Sequence, residues 1–189
     1  MVSEFISASD SRSTRKLDRR SQQQFLRFHL EPDTAAMLPV AQLSEVLTIG
    51  LGQIVPIPHL PPWVLGVYNW RGEILWMVDL GYLVGLTPWH QQSVARSHYR
   101  AIILNGDISF EQNQRKRSFM NQDRNQMLGL VVSRVEDIEW CNTDELHSPP
   151  TASISAKLIS FLRGIWVKPN NDVVLALDGQ SIIAKLKNQ

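Results

Sequence analysis

Residues 55–80 read VPIPHLPPWVLGVYNWRGEILWMVDL, two apolar runs separated by the polar sequence Asn69-Trp70-Arg71-Gly72. Asparagine and glycine are residues that a tight turn between two strands requires for its backbone angles. Such a turn does not require an arginine beside a tryptophan. We therefore interpret this tetrapeptide as a rigid surface feature that meets another protein.

The segments around this turn are predicted to form a hairpin with short helices beside it. Val67–Trp70 and Ile74–Leu80 are the two predicted strands, and Gly81–Val84 is a predicted short helix. Pro61 and Pro62 are expected to open a brief helical turn, because proline is favoured at a first helical position.

Short strands continue through the rest of the chain. Alternation of apolar and polar residues begins at Phe25, and Pro39–Leu47 fits either a short helix or a bulged strand. The remaining predicted strands are Ala101–Leu104, Leu128–Val132, Val135–Ile138, Gly164–Val167 and Val173–Leu177, and a small amphipathic helix is predicted at Ser181–Lys187.

An internal repeat relates two parts of the chain. Segments 43–46 and 135–138 match at an offset of 92, segments 64–67 and 162–165 at 98, and segments 78–80 and 177–179 at 99. The small drift is what differences in loop length produce. We interpret the repeat as a duplicated β unit, which is typical of paired small barrels.

Composition limits the possible function classes. The chain has 189 residues, 43% hydrophobic residues and a formal net charge of +1. Near-neutral charge disfavours a general electrostatic contact with nucleic acid or with an anionic membrane. Cys141 is the one cysteine, so an intramolecular disulfide cannot form.

The sequence shows neither a signal peptide nor an apolar run long enough to span a membrane, and we expect a cytoplasmic protein.

Two segments are expected to lie outside the packed domain. Residues 1–24 are rich in serine, glutamine and charge, and we predict a disordered tail, with a basic partner-binding arm as the alternative. The domain itself is predicted to span residues 25–187. Within it, Asn105–Gln126 is predicted to be a mobile insertion because it is long for a hairpin loop and rich in polar residues.

Reactive groups that would indicate an enzyme do not converge in the sequence. The five histidines show no metal-ligand spacing with one another or with Cys141, and nucleotide-binding glycine patterns are missing. Cys141 lies in an acidic stretch, which does not stabilise a thiolate, so we predict a structural cysteine. Asp79 and Asp178 occupy equivalent positions after apolar strands, and we predict strand-end or helix-cap roles for them. We therefore expect no enzyme, no metal and no cofactor.

Four tryptophans lie in strand-like apolar runs and are predicted to be buried or half-buried, namely Trp63, Trp70, Trp76 and Trp166. For Trp70 an alternative stays open, because a tryptophan on the surface beside an arginine has the composition of an interface hot spot.

Residues 65–80 resemble the motif of the CheW family, the cytoplasmic coupling proteins of bacterial chemosensory arrays. The family pattern is a glycine, a strand, Asn-x-Arg-Gly, and an apolar strand that ends in Asp-Leu. Glu45 and the two residues after it resemble the family's Glu-Ile/Val-Leu element, and Gly129–Val132 resembles a strand of its second half. Trp76 and Trp70 depart from the family, which often has proline and an aliphatic residue at these positions.

The resemblance implies a mostly β fold, with two SH3-like five-stranded β-barrel subdomains that are intertwined and carry a few short helices. It also implies a non-catalytic adaptor that binds the regulatory domain of a CheA-type histidine kinase and the cytoplasmic tip of methyl-accepting receptors. Such a protein would reach the membrane only through receptors and would bind no nucleic acid. The residues expected to bind partners are Glu45, Asn69, Trp70, Arg71 and Gly72.

Three other functions stay open from the sequence. An enzyme could use Cys141 or a histidine, and SH3-like barrels in general can bind RNA. Within the adaptor class, the chain could serve a chemosensory branch that controls type IV pilus (twitching) motility or phototactic movement.

Overall fold

Ten strands form two five-stranded sheets in the computed structural model, which describes residues 21–91, 97–105, 127–149 and 154–187. The strands are β1 Gln22–Leu30, β2 Thr34–Pro39, β3 Leu43–Gly50, β4 Val64–Trp70, β5 Glu73–Asp79, β6 His98–Leu104, β7 Met127–Val132, β8 Arg134–Asn142, β9 Leu162–Val167 and β10 Val173–Leu177. Three short α-helices accompany them, α1 Leu80–Val84, α2 Ala156–Ile159 and α3 Gly179–Lys187. None of the helices in these described ranges is long and apolar enough to cross a membrane.

The two sheets have the same topology. One has the order β3-β6-β7-β5-β4, and we call it the middle barrel; the other has the order β8-β1-β2-β10-β9, and we call it the terminal barrel. Each contains one parallel pair, β5 with β7 and β10 with β2. The mostly β fold with two SH3-like five-stranded barrels is therefore confirmed.

The predicted duplication is visible in matching irregularities of the two barrels. Val55 bridges Val67 in the middle barrel, and His147 bridges Ile165 in the terminal barrel. The pairing of β4 with β5 shifts between Val64 and Gly66, and the pairing of β9 with β10 shifts at the equivalent place. The repeat does not divide the chain into two halves, however, because β1 and β2 complete the barrel that contains the C-terminal strands.

Both predicted helix caps are confirmed. Asp79 precedes α1 and accepts a hydrogen bond from Tyr82 N at 3.0 Å, and Asp178 precedes α3 and accepts one from Ser181 N at 3.3 Å. Burial raises the pKa of the Asp79 carboxyl. Burial also acts to raise the pKa of Asp178, but hydrogen bonds from Gln42 and Ser181 outweigh it and lower that pKa.

The hydrophobic core has three parts. A shared core lies between the barrels and includes Leu26 and Phe28 from the terminal barrel and Val78 and Ile102 from the middle barrel. A second cluster fills the middle barrel, and a third fills the terminal barrel. Burial on both sides of each sheet explains why few of the strands show a simple alternating pattern.

Several sequence-based boundaries were wrong. Pro61 opens a single turn, in which Val64 N donates to Pro61 O at 2.9 Å, but the predicted helical turn does not extend over Val64 and Leu65, because both belong to β4. β2 was not predicted, β1 begins at Gln22 rather than Phe25, and β8 continues four residues past Ile138 to Asn142. Pro39–Leu47 contains a 3-10 turn followed by a strand with a bulge.

Two predicted segments cannot be compared with the structure. Residues 1–20 of the predicted tail and residues 106–126 of the predicted insertion lie outside the described residues. The division into a tail and a domain therefore stays a prediction.

Candidate functional site

The hairpin turn between β4 and β5 has the geometry that its sequence predicts. Arg71 and Gly72 are its two central residues, with φ of 54° and 86°. Two successive positive φ values are typical of a type I′ turn, whose twist matches that of the flanking strands. The Gly72 backbone N–H donates to Asn69 Oδ1 at 3.0 Å, which fixes the turn from inside. Asn69 and Gly72 thus shape the turn that presents Arg71.

Trp70 anchors the turn to the middle barrel. Its side chain is half-buried and packs against the cluster inside that barrel. The Arg71 guanidinium carbon lies 4.8 Å from the centre of the Trp70 ring, which is a cation–π distance. The predicted half-buried packing of Trp70 is therefore confirmed, and its alternative role as an interface hot spot stays a prediction.

Glu45 on β3 completes the site. Arg71 Nη2 donates to Glu45 Oε2 at 2.9 Å, although the two residues are 26 positions apart in sequence. The Arg71 side chain is 69% exposed and that of Glu45 is 34% exposed. The structure thus brings together all five sequence-predicted residues at one end of the middle barrel; their role as partner contacts stays a prediction.

Exposed apolar side chains accompany this ion pair. Val46 follows Glu45 on β3 and is 41% exposed, and Ile74 on β5 is 42% exposed. Val46 pairs with Ile102, a residue of the shared core, so both lie on the same face of their sheet. Glu45 pairs instead with Ile103, a residue of the cluster inside the middle barrel, so its side chain lies on the opposite face of the sheet from that of Val46.

The terminal barrel carries an equivalent apolar surface that the sequence reading missed. Ile138 and Trp140 on β8 are 52% and 60% exposed, and Ile138 occupies the position equivalent to Val46. The strand predicted from the sequence ended at Ile138, so Trp140 was assigned to no strand. Continuing the period of two through Ile138 and Trp140 would have placed both on one face.

The possible reactive groups considered among the described residues are metal-ligating clusters and the Cys141 thiol. No group of three or more histidine, cysteine or acidic side chains in these ranges is arranged to hold a metal ion. Cys141 is 1% exposed, and burial raises its thiol pKa to about 11, with the negative charge of Glu145 adding to the effect. Cys141 packs in the hydrophobic cluster of the terminal barrel, which agrees with its predicted structural role.

Replacing Arg71 with asparagine tests the turn geometry. Asn-Gly is the preferred pair for a type I′ turn, whereas arginine is disfavoured at positive φ. The variant loses an exposed ion pair that contributes roughly 0–1 kcal/mol, so its free energy of unfolding is expected to stay within about 1 kcal/mol of wild type. Arg71→Val, which places a β-branched residue at positive φ, should cost about 1 kcal/mol or more. Urea unfolding measures both; equal losses in the two variants would contradict the assigned turn.

Comparisons with known proteins agree with the fold and with the hairpin motif. The family model described as the CheW-like domain matches residues 24–187. The probable chemotaxis protein CheW of Rhizobium etli is 34% identical over 110 residues, which cover 58% of this chain and 56% of that protein. The chemotaxis protein CheW of Rhizobium meliloti is 29% identical over 128 residues, 67% of this chain and 62% of that protein. The chain therefore matches a little under two thirds of the length of these relatives.

A solved structure shows the same fold. The crystal structure of the scaffolding protein TtCheW from Thermoanaerobacter tengcongensis superimposes with a TM-score of 0.60 at 21% identity, covering 82% of this chain and 88% of that one. Because the family model covers both barrels and the hairpin between β4 and β5, the chain belongs to the CheW-like domain family.

Proposed function

We propose that this chain is a non-catalytic adaptor of chemotaxis signalling that couples chemoreceptors to a CheA-type histidine kinase. The family membership and the chemotaxis names of the relatives support this function. The observation that carries it is the hairpin turn, which presents an exposed Arg71 on a half-buried Trp70 anchor. Coupling requires rigid binding surfaces and no reactive groups.

The turn and the apolar residues next to it are the proposed receptor contact. Arg71 can bind a carboxylate through two of its N–H groups, because the guanidinium is a planar fork. Val46 on β3 and Ile74 on β5 are 41% and 42% exposed, and the proposed contact extends to these apolar residues of the neighbouring strands. The cytoplasmic tip of a methyl-accepting receptor is a helical bundle that offers both kinds of group.

The duplication supports contact with a second partner. β3 and β8 are equivalent strands at the edges of their sheets, and each carries exposed apolar side chains. An adaptor with two equivalent edges can contact two proteins at once, and the regulatory domain of the kinase is the proposed second partner. We expect each interface to be small, near or below ~1,200 Å², so that an array is held together by many contacts.

The rival enzymatic function has a weaker basis. It would require Cys141 or a histidine as the reactive group, and the Cys141 thiol is buried with a pKa of about 11. A chemosensory branch that serves pilus or phototactic motility stays an alternative output for the same adaptor mechanism. The protein is proposed to act in the cytoplasm and to be recruited to receptor arrays.

Binding measurements with purified components test this function. Isothermal titration of the full chain with a soluble receptor-tip fragment, and separately with the regulatory domain of a CheA-type kinase from the same cell, should give saturable binding in both cases. Binding of neither component would reject the proposal. Binding of the kinase domain alone would reject the receptor contact.

A further inference from the structure

Within the described residues, the Arg71 guanidinium makes one side-chain hydrogen bond, to Glu45, and one ring contact, with Trp70. The group has five N–H donors, and the described residues place one carboxylate against it, that of Glu45, at 2.9 Å from Nη2. The side chain stays 69% exposed although it is ion-paired. A carboxylate arriving from solvent could therefore bind through two parallel hydrogen bonds, which are stronger than the single one now present.

The equivalent hairpin of the terminal barrel, between β9 and β10, has a different set of ion pairs near its tip. Near its tip Arg27 is only 14% exposed and contacts three carboxylates: Asp172 at 2.6 Å, Glu136 at 2.9 Å and Glu139 at 3.4 Å. Lys168 adds a further contact with Glu139 at 2.7 Å. These charges are largely withdrawn from solvent and engaged with several partners. By contrast, the described residues show one ion pair at the tip of the middle barrel, between Arg71 and Glu45, and it is exposed. A carboxylate from another molecule can therefore take the place of Glu45.

The backbone conformation at Arg71 also indicates that the side chain of this arginine has a role of its own. Arg71 adopts φ of 54°, a conformation that costs a non-glycine residue free energy and that asparagine or glycine would adopt more readily. The exposed ion pair with Glu45 and the cation–π contact with Trp70 are each weak, and they do no more than offset the backbone cost of an arginine at this position. A stronger contact that forms only with a partner would account for it.

We propose that Glu45 is a specificity-determining residue that occupies Arg71 in the free protein and is displaced when a partner carboxylate binds. This inference rests on the proposed function and assigns Glu45 a role opposite to that of a direct contact. A ligand with one weak hydrogen-bond acceptor does not displace Glu45, whereas a carboxylate that binds both arms of the fork does. Glu45 thereby selects partners that present a carboxylate in bidentate geometry.

The test is the affinity of the Glu45→Gln variant of the full chain for a soluble receptor-tip fragment, measured by isothermal titration. Glutamine keeps the shape of the side chain and removes the charge that competes for Arg71. Because exposed ion pairs are weak, we expect binding to become about two- to fivefold tighter. Glu73→Gln is the matched control, since it removes a carboxylate from the same hairpin without freeing Arg71; its affinity should change less than that of Glu45→Gln.

The same titration in an Arg71→Gln background separates this proposal from the proposed function. Arg71→Gln alone should weaken binding, and adding Glu45→Gln should then have no further effect. If Glu45→Gln weakens binding or leaves it unchanged while Arg71→Gln weakens it, Glu45 is not a competitor and the receptor contact stands. If Arg71→Gln binds as wild type does, both the receptor contact and the competition are wrong. Melting temperatures of all variants check that each is folded.

Discussion

Arg71→Glu is expected to weaken binding of a receptor-tip fragment by about thirtyfold or more, the factor that corresponds to losing a hot-spot arginine worth about 2 kcal/mol. The substitution removes the fork and places a carboxylate where the partner's carboxylate must approach. It also sets this new charge against Glu45, which now lies 2.9 Å from the arginine. Isothermal titration measures the affinity, and circular dichroism should be unchanged because the side chain is 69% exposed.

Arg163→Glu is the matched control for this reversal. Arg163 is an exposed arginine on β9 of the terminal barrel, where its guanidinium donates to Gln23 at 2.9 Å. The change in net charge is identical, so a general electrostatic effect would lower both affinities equally. We expect receptor binding within about twofold of wild type for this control. Wild-type binding by Arg71→Glu, or an equal loss in Arg163→Glu, would contradict the assigned contact.

Gly66→Ala is expected to destabilise the protein by about 3 kcal/mol or more, because the new methyl group has no space. A Cβ at this position would lie 2.2 Å from the carbonyl oxygen of Val55, and the residue has φ of 138°. Moving the Val55 carbonyl group away from the new methyl group would break the two hydrogen bonds between Val55 and Val67, at 2.8 and 2.9 Å. For a chain of this size the loss corresponds to a fall in Tm of roughly 6–12 °C.

Gly164→Ala in the terminal barrel is the natural comparison. It occupies the equivalent position, but its added Cβ would meet the Leu146 Cβ at 3.0 Å and the His147 carbonyl oxygen at 3.2 Å, and its φ is not in the left-handed region. We expect less than half the loss in free energy of unfolding. Differential scanning calorimetry measures both, and equal losses would show that the close approach of Val55 to Gly66 does not constrain the barrel.

Local signals in the sequence predicted much of this fold. The turn between β4 and β5 depends on Asn69 and Gly72, whose preferences act within a few residues, and its prediction is confirmed. The duplication was visible in the sequence because both copies keep similar residues at nearly constant spacing, among them Gly66 with Gly164 and Asp79 with Asp178. The turn residues and the repeated segments each lie within a few consecutive positions, so they can be recognised without knowing which strands pair.

The pairing of strands that are far apart in the chain could not be predicted from the sequence. β2 pairs with β10 and β1 pairs with β8, both far away in sequence, and no local pattern records these pairings. The turn expected at Pro61 forms with a single hydrogen bond and does not continue as a helix, because Val64 and Leu65 belong to β4. Tertiary contacts overrode a weak local preference, as is usual for such preferences.

The candidate site was predicted only in part. The resemblance pointed to both Glu45 and Arg71, but their mutual ion pair depends on closure of the middle barrel, which brings β3 beside the hairpin. Trp140 was missed because its exposure follows from the position of β8 at the edge of the sheet. A residue's position within a sheet decides whether an apolar side chain belongs to the core or to the surface.

Co-sedimentation of three components tests the central claim, that this molecule links two other proteins, most directly. Receptor-tip fragments assembled on vesicles are mixed with a CheA-type kinase and spun down with and without the chain. We predict that the kinase sediments in a manner that depends on the concentration of the chain, and that Arg71→Glu abolishes this recruitment. Kinase that stays in the supernatant at saturating wild-type chain, with both binary partners correctly folded, would contradict the account.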